Sequence, residues 1–197
     1  MICPLEAVWP AWVLALCRSP RWFKYCAEKG GGMLQPGGGT CAGHCCHFSP
    51  PTGTFLARPE FFMNSLVRAG LVERAVWCYS DTRRVLVAAF ALGEGTAGWE
   101  QWTHGGLTAA IMDDAFAHTL YGLGVYSGWP VKQAFTKTLN INYKRPVPLG
   151  GKVVVTTYPT VDSAEKSPTD GRVRVPFRCV VSSRPLPGWG IPGAADT

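Results

Sequence analysis

The amino-acid sequence predicts an α+β fold in which a curved antiparallel sheet wraps around one long central helix. Three observations indicate this fold class. Two strand-like runs come first, joined by a short polar turn; one long helical segment follows, apolar on nearly every side; and only strand-like runs come after it. A helix with so little polar surface is expected to be buried, and a sheet curved around it provides the cover.

The elements before the long helix are a short helix and a hairpin. Pro59 and Gly70 bracket an amphipathic helix, because proline suits the first turn of a helix and glycine suits the position after its end. Val72–Tyr79 and Arg84–Leu92 are rich in β-branched and aromatic residues, and the polar residues Ser80–Arg83 supply the turn between them.

The long helix is predicted over Leu107–Tyr121, which follows a glycine-rich loop at Gly93–Gly98 and itself contains neither glycine nor proline. Three further strands are predicted at Ala134–Tyr143, Lys152–Tyr158 and Arg172–Val181. The first of these alternates apolar with polar side chains, the period of a sheet with two different faces. Pro176 places the last one at an edge of the sheet.

The composition indicates one globular domain with irregular ends. Of the 197 residues, 47% are hydrophobic and only 16% are charged, which is enough apolar side chain for a core. We predict an irregular N-terminal extension rich in Gly, Pro and Cys over residues 1–54, a folded domain over 55–183 and an irregular tail over 184–197.

The formal net charge of +6 favours polyanionic partners, whether nucleic acids, acidic membrane surfaces or phosphate-rich ligands. No block of Lys and Arg is interleaved with aromatic residues, however, and the alternating Arg172, Arg174 and Arg178 suit the solvated face of a strand. Nucleic-acid binding is therefore not expected.

The first quarter of the chain holds six of the eight cysteines. The Cys and His residues of Cys41–His47 are crowded together, whereas structural zinc sites normally use two separated ligand pairs, so no metal is expected. Ala7–Cys17 is shorter than the ~20 residues that cross a bilayer, so no transmembrane segment is expected. This end resembles a targeting segment, with an irregular extension as the alternative, and cytoplasmic and mitochondrial locations both stay open.

Gly105 and Gly106 stand at the start of the long helix, the positive end of its dipole. The first backbone N–H groups of a helix have no intrahelical acceptor, and without a Cβ they can closely approach a carbonyl oxygen. These residues therefore predict an oxyanion hole. His104, just before them, is better suited to stabilising the turn into the helix than to acting as a base.

Asp113 and Asp114 lie mid-helix among apolar neighbours, where an ionised carboxylate is costly unless it is paired or faces a cleft. At least one is expected to act in chemistry; two satisfied or partly exposed acids are the alternative. Asp113 lies roughly 12 Å beyond Gly105 along the axis, so one substrate carbonyl cannot touch both groups of one chain. Both can act only if two antiparallel helices face each other in a homodimer.

Two stretches carry a resemblance to a known family. One reads Trp102-Thr103-His104-Gly105-Gly106, with Asp113 seven positions after the second glycine; the other reads Leu139-Asn140-Ile141-Asn142-Tyr143-Lys144-Arg145-Pro146-Val147-Pro148-Leu149. By these motifs, the chain from about Glu73 to Val181 resembles the PaaI-like branch of hotdog-fold acyl-CoA thioesterases. Within it, the chain is most similar to the long-chain acyl-CoA thioesterase type that includes carboxyl-terminal modulator protein.

The resemblance implies hydrolysis of medium- or long-chain acyl-CoA to fatty acid and coenzyme A, without a cofactor, by a homodimer or dimer of dimers. It implies an oxyanion donor at Gly105, a general base or nucleophile at Asp113, and a thioester-placing residue at His104. Thr136 would assist the water, although a hydroxyl that satisfies a neighbour is equally consistent with the sequence. The implied substrate contacts are Gly106, Asn140, Lys144 and Arg145, of which the last two would meet the nucleotide phosphates or else be solvated edge charges.

The chain departs from the family at its end. The family normally has one more strand, but Arg184–Gly190 is rich in Pro and Gly and cannot form a regular strand, so a sheet without its last strand is expected. This departure keeps a second hypothesis open, a non-catalytic hotdog protein that binds acyl-CoA or a protein partner. A dehydratase is disfavoured, because the acid in the helix is Asp113 where those enzymes use a histidine.

Overall fold

A computed structural model of the chain describes Val13 and residues 23–28, 61–130, 134–161, 165–166 and 173–182. The helices are α1, Phe62–Arg68, and α2, Gly105–Tyr126, and a 3-10 turn spans Glu94–Thr96. The strands are β1 Phe23–Glu28, β2 Val72–Ser80, β3 Val85–Leu92, β4 Ala97–Trp99, β5 Trp102–Thr103, β6 Lys152–Pro159, β7 Glu165–Lys166, β8 Val173–Arg174 and β9 Phe177–Ser182.

The main sheet has five antiparallel strands in the order β1-β2-β3-β6-β9. The long helix α2 lies on one face of it, where Ile111 and Ala115 share a core with Trp77, Phe90 and Val155. An antiparallel sheet with one long helix along its face is the hotdog α+β fold, so the predicted fold class is confirmed.

The face of the sheet that points away from α2 is buried as well. Its side chains are at most 3% exposed at Val76, Cys78, Val87, Ala89 and Val154. Burial on both faces explains why β3 is an uninterrupted apolar run rather than an alternating one.

The short helix and the hairpin form where the sequence predicts them. Gly70 follows α1 with a φ of 73°, the left-handed conformation that favours glycine after a helix end. The turn of the hairpin ends at Arg84, whose φ of 50° is the one positive value at a non-glycine residue in the described part of the chain. Pro59, the expected start of α1, lies outside the described residues.

Helix α2 is longer than predicted, since it begins at Gly105 rather than Leu107 and continues five residues past Tyr121. Gly122, the first glycine after the predicted segment, lies inside the helix and serves packing. A Cβ at Gly122 would lie 2.6 Å from the ring of Tyr79, so only glycine lets that ring pack against the helix.

The expectation that α2 is buried on nearly every side is only partly met. Its sheet-facing side is closed to solvent, with Ile111, Ala115 and Leu123 at most 1% exposed. Other apolar residues of the helix, including Phe116, keep part of their surface, and Val125 is 48% exposed. One face of α2 is thus covered by the fold and another remains accessible in the single chain.

Strand β1 corrects the expectation that residues 1–54 are irregular throughout. Phe23–Glu28 pairs in register with β2, from Phe23 opposite Tyr79 to Glu28 opposite Arg74. The Gly- and Pro-rich composition of the surrounding sequence concealed this run. Its partner, the edge of β2 that β3 does not occupy, is a tertiary feature that local sequence does not display.

The prediction of a strand at Ala134–Tyr143 is wrong. Residues 134–144 have no regular secondary structure and no strand pairing among the described residues, and Phe135 is 84% exposed. Alternation of apolar and polar side chains gives a segment two faces, but a strand also needs a neighbour to exchange backbone hydrogen bonds. No described part of this chain provides that neighbour.

The strand predicted at Arg172–Val181 is divided in two. β8 pairs with β7, whereas β9 pairs with β6 and stands last in the described sheet, as expected for a strand beside Pro176. Pro176 lies between them, and its carbonyl accepts from the backbone N–H of Thr160 at 2.9 Å. The predicted C-terminal tail (residues 184–197), residue 183 before it, and the Cys41–His47 cluster lie outside the described residues. Among the helices that the structure describes, none is long and apolar enough to cross a membrane.

Candidate active site

The segment that leads into α2 is held tightly at its backbone. The Thr96 hydroxyl donates to the carbonyl of Gly93 at 2.7 Å, and the Thr96 carbonyl accepts from the backbone N–H of His104 at 2.8 Å. Gly98 packs against His104 so closely that a Cβ there would lie 2.6 Å from the His104 Cα. The fold therefore fixes His104 at the entrance of the helix.

His104 is the N-cap residue of α2. Its Nδ1 accepts a hydrogen bond from the backbone N–H of Gly106 at 2.9 Å, which satisfies one of the unpaired donors of the first turn. This role requires Nδ1 to be unprotonated, so the neutral ring carries its hydrogen on Nε2. A Cβ at Gly106 would lie 2.8 Å from Nδ1, so the cap itself explains the glycine at that position.

The glycine at position 105 has no comparable structural explanation. Gly105 does not have a positive φ, and a Cβ there would meet its nearest atoms, on the ring of Tyr143, at an ordinary 3.6 Å. The residue is exposed, and its N–H belongs to the first turn, where no intrahelical acceptor exists. A molecule that must come close to this amide would account for the glycine.

Tyr143 was not singled out from the sequence, although it lies inside the motif quoted above. Its hydroxyl donates to the carbonyl of Gly105 at 2.9 Å, and the side chain is 54% exposed. A hydrophobic position in a predicted strand gave no reason to place this hydroxyl at a helix start. Since Lys144 and Arg145 follow it directly and are exposed, the chain also brings two cations close to this end of α2.

Asp113 lies two turns into α2 on its accessible side. The residue is only partly buried, and the Thr136 hydroxyl donates to its Oδ1 at 2.5 Å. This bond leaves Oδ2 as the other oxygen of an acid that solvent can reach. The segment around residue 136, although not a strand, thus places a hydroxyl against Asp113, a contact that fits the alternative of a hydroxyl satisfying a neighbour and leaves the implied role toward water a prediction.

Asp114 is turned toward the sheet and is buried. Its Oδ2 accepts from the indole N–H of Trp77 at 3.1 Å and lies 3.2 Å from His118 Nδ1. The imidazole of His118 stacks on Trp77, with ring centroids 4.6 Å apart. Asp114 is 6% exposed, so it belongs to the core between helix and sheet. The two neighbouring acids therefore differ in burial and in hydrogen-bond partners.

The structure brings together some of the expected site residues and leaves others apart. Gly105 and Asp113 are separated by two turns of the same helix, roughly 12 Å along its axis, so they do not converge in one chain. Asn140 is exposed, as are Lys144 and Arg145, and none of the three makes a described side-chain contact with this helix.

The thiols of Cys78 and Cys179 are poor competitors for a nucleophilic role. Cys78 is 1% exposed, and burial raises the pKa of the Cys179 thiol to about 12, so its reactive thiolate form is scarce near neutral pH. Across the described residues, His, Cys, Asp and Glu side chains form no group that could hold a metal ion.

Residues 101–161 match the family model described as Thioesterase superfamily. The match spans β5, all of α2 and β6, and therefore contains Gly105, Asp113 and Thr136. No curated protein matches the chain. This match supports a relationship of residues 101–161 to the thioesterase superfamily, and it supports thioester hydrolysis as the general type of reaction.

Proposed function

We propose that this protein is an acyl-CoA thioesterase that hydrolyses medium- or long-chain fatty acyl-CoA to a fatty acid and coenzyme A. The observation that carries the proposal is the environment of Asp113, a partly exposed helical acid whose Oδ1 is held by the Thr136 hydroxyl. The choice of acyl-CoA as substrate is supported by the resemblance of the His104–Gly106 and Asn140–Leu149 motifs and by the exposed Lys144 and Arg145.

In the proposed reaction, the N–H of Gly105 donates to the thioester carbonyl oxygen and stabilises the negative charge that develops there. Asp113 removes a proton from a water molecule, whose oxygen attacks the carbonyl carbon. The C–S bond then breaks, and the proton passes to the departing thiolate. Direct attack by Asp113 on the carbonyl carbon is the alternative, and it would give an acyl-enzyme anhydride that water then hydrolyses.

The active unit in this proposal is a homodimer. Because Gly105 and Asp113 lie roughly 12 Å apart along one rigid helix, a thioester bound to Gly105 of one subunit would have to meet Asp113 of the other. The accessible face of α2 and residues 134–144, which pair with no described strand, are the surfaces on which this proposal places a second copy.

The central test is release of coenzyme A from acyl-CoAs of several chain lengths by the wild type and by Asp113→Asn. We expect the substitution to lower kcat by at least ~100-fold, as for the loss of a general base. Glu73→Gln, which changes an exposed acid on β2 in the same way, is the matched control and should retain full activity. Equal turnover by Asp113→Asn and the wild type would refute the mechanism, and acyl-CoA binding without turnover in either would favour a non-catalytic binding protein.

Subunit complementation tests the shared site separately. Asp113→Asn and Gly105→Val should each be inactive alone, whereas a mixture refolded together contains heterodimers with one intact site. Random pairing should then restore about a quarter of wild-type activity. Absence of any recovery, with heterodimers demonstrated by mass, would show that each site is built from one chain.

A further inference from the structure

The peptide group between Gly105 and Gly106 is held at both of its ends. Its carbonyl oxygen, on Gly105, accepts from the Tyr143 hydroxyl at 2.9 Å, and its N–H, on Gly106, donates to His104 Nδ1, also at 2.9 Å. A peptide group is planar, so its carbonyl and its N–H cannot reorient independently. Two side chains from different segments thus fix the orientation of one peptide plane.

Such a restraint matters at this position because two glycines open the helix. Glycine permits a close approach to the backbone, but it also leaves the backbone with more conformational freedom than any other residue. An oxyanion donor stabilises a developing charge only if it is already oriented when the reaction begins. Glycine at 105 and 106 therefore gives access at the cost of orientation, unless something else restrains the plane.

We propose that Tyr143 and His104 form a peptide clamp, a pair of positioning residues that hold the Gly105–Gly106 peptide. The Gly105 N–H lies in the preceding peptide plane, between this held peptide and the anchored backbone of His104, so the clamp orients it toward the substrate carbonyl through the first turn of α2. The inference rests on the proposed thioesterase function. The Tyr143 hydroxyl restrains the plane from the loop before β6, and His104 restrains it from the side of the 3-10 turn and β4, where Thr96 and Gly98 hold its backbone. In this arrangement Tyr143 touches no reacting atom; it acts through Gly105.

Tyr143→Phe is the cleanest test, since it removes the hydroxyl and keeps the ring. We expect kcat to fall roughly tenfold, the order associated with losing one neutral hydrogen bond, while KM changes less than twofold. Tyr126→Phe, the same change at the far end of α2, is the control and should leave both constants unchanged. An unchanged kcat in Tyr143→Phe would overturn the clamp.

His104 supplies a second and independent arm of the test. His104→Asn offers a shorter acceptor for the Gly106 N–H and should keep more activity than His104→Ala. Because both arms restrain one plane, the losses of Tyr143→Phe and His104→Ala should combine to less than their product. Fully multiplicative losses would show that the two side chains act separately and would contradict the clamp.

A measurement that needs no turnover separates failure of the clamp from failure of the enzyme. Backbone order parameters of Gly105 and Gly106, from NMR relaxation of the full chain, should fall in Tyr143→Phe and stay unchanged in Tyr126→Phe. If the wild type hydrolyses no acyl-CoA, the thioesterase proposal fails, and the order parameters alone decide whether the peptide is held. Unchanged order parameters in Tyr143→Phe would refute the clamp whatever the activity.

Discussion

The two neighbouring acids of α2 occupy opposite environments. Asp113 is partly exposed and receives a hydrogen bond from Thr136, a residue of a segment outside the sheet. Asp114, about 100° further around the helix, is sealed against β2 by Trp77 and His118. The side of the helix that faces the sheet packs in the core, whereas the side that faces away keeps its polar groups accessible.

This difference shows how one helix can serve both purposes. Ile111, Ala115 and Leu123 anchor α2 to the sheet, while Gly105 and Asp113 lie where the fold leaves the helix uncovered. Substitutions on the sheet side should therefore change the free energy of unfolding, and those on the accessible side should change activity with little effect on stability. Three predictions test the sheet side, in order of decreasing effect.

Ile111→Ala should have the largest effect on stability. Ile111 is 1% exposed within the shared core, and truncating such a side chain leaves a cavity that typically costs about 2–5 kcal/mol. Urea unfolding of the full chain measures the change. Val125→Ala, on the exposed part of the same helix, should cost less than about 0.5 kcal/mol, and similar losses in both variants would erase the distinction between the two sides.

Trp77→Phe should have an intermediate effect. It removes the indole N–H that donates to Asp114 Oδ2 and leaves a buried carboxylate with one donor fewer, a loss of about 1–3 kcal/mol. Trp99→Phe, the same change at a residue that is 72% exposed, is the control. If both variants unfold at the same urea concentration as the wild type, the contact between Trp77 and Asp114 contributes nothing measurable to the free energy of unfolding. The buried and the partly exposed acid would then not differ in their effect on stability.

Cys179 should produce the smallest effect, visible only at alkaline pH. The folded pKa of about 12 lies above the ordinary value of 9.0, so above pH 9 the folded chain keeps a proton that the unfolded chain releases. Stability should therefore fall as the pH rises from 9 toward 12. Cys179→Ala should show a shallower fall in melting temperature between pH 8 and pH 10; an identical slope in the variant would contradict burial as the cause of the raised pKa.

The fold could be predicted from sequence where local pattern and tertiary neighbours agree. The β2–β3 hairpin appears within one residue of its expected bounds, because two runs rich in apolar residues on either side of a polar turn require little outside information. Residues 134–143 carry an equally regular pattern but have no described strand to pair with. Strand β1 is the reverse case, since its partner, the edge of β2, lies far away in sequence.

The site was predictable to a similar extent. Gly105 and Gly106 predicted the start of the helix, and the apolar surroundings of Asp113 and Asp114 predicted that at least one of the two acids acts in chemistry. Sequence alone could not assign the buried role to Asp114, because Trp77 approaches it from another element. It also gave no reason to expect the Tyr143 hydroxyl at Gly105, a contact between residues 38 positions apart.

Helix α2 also sets a fixed distance between the residues along it. An α-helix advances about 1.5 Å per residue and neither stretches nor shortens appreciably, so no substitution along it can bring position 105 nearer to position 113. The reach of any bound molecule must therefore be set by whatever surface lies opposite the helix. For the proposed acyl-CoA substrate, variants that accept shorter or longer acyl groups should accordingly be sought in the residues that face α2, because changes within its own turns leave its dimensions unaltered.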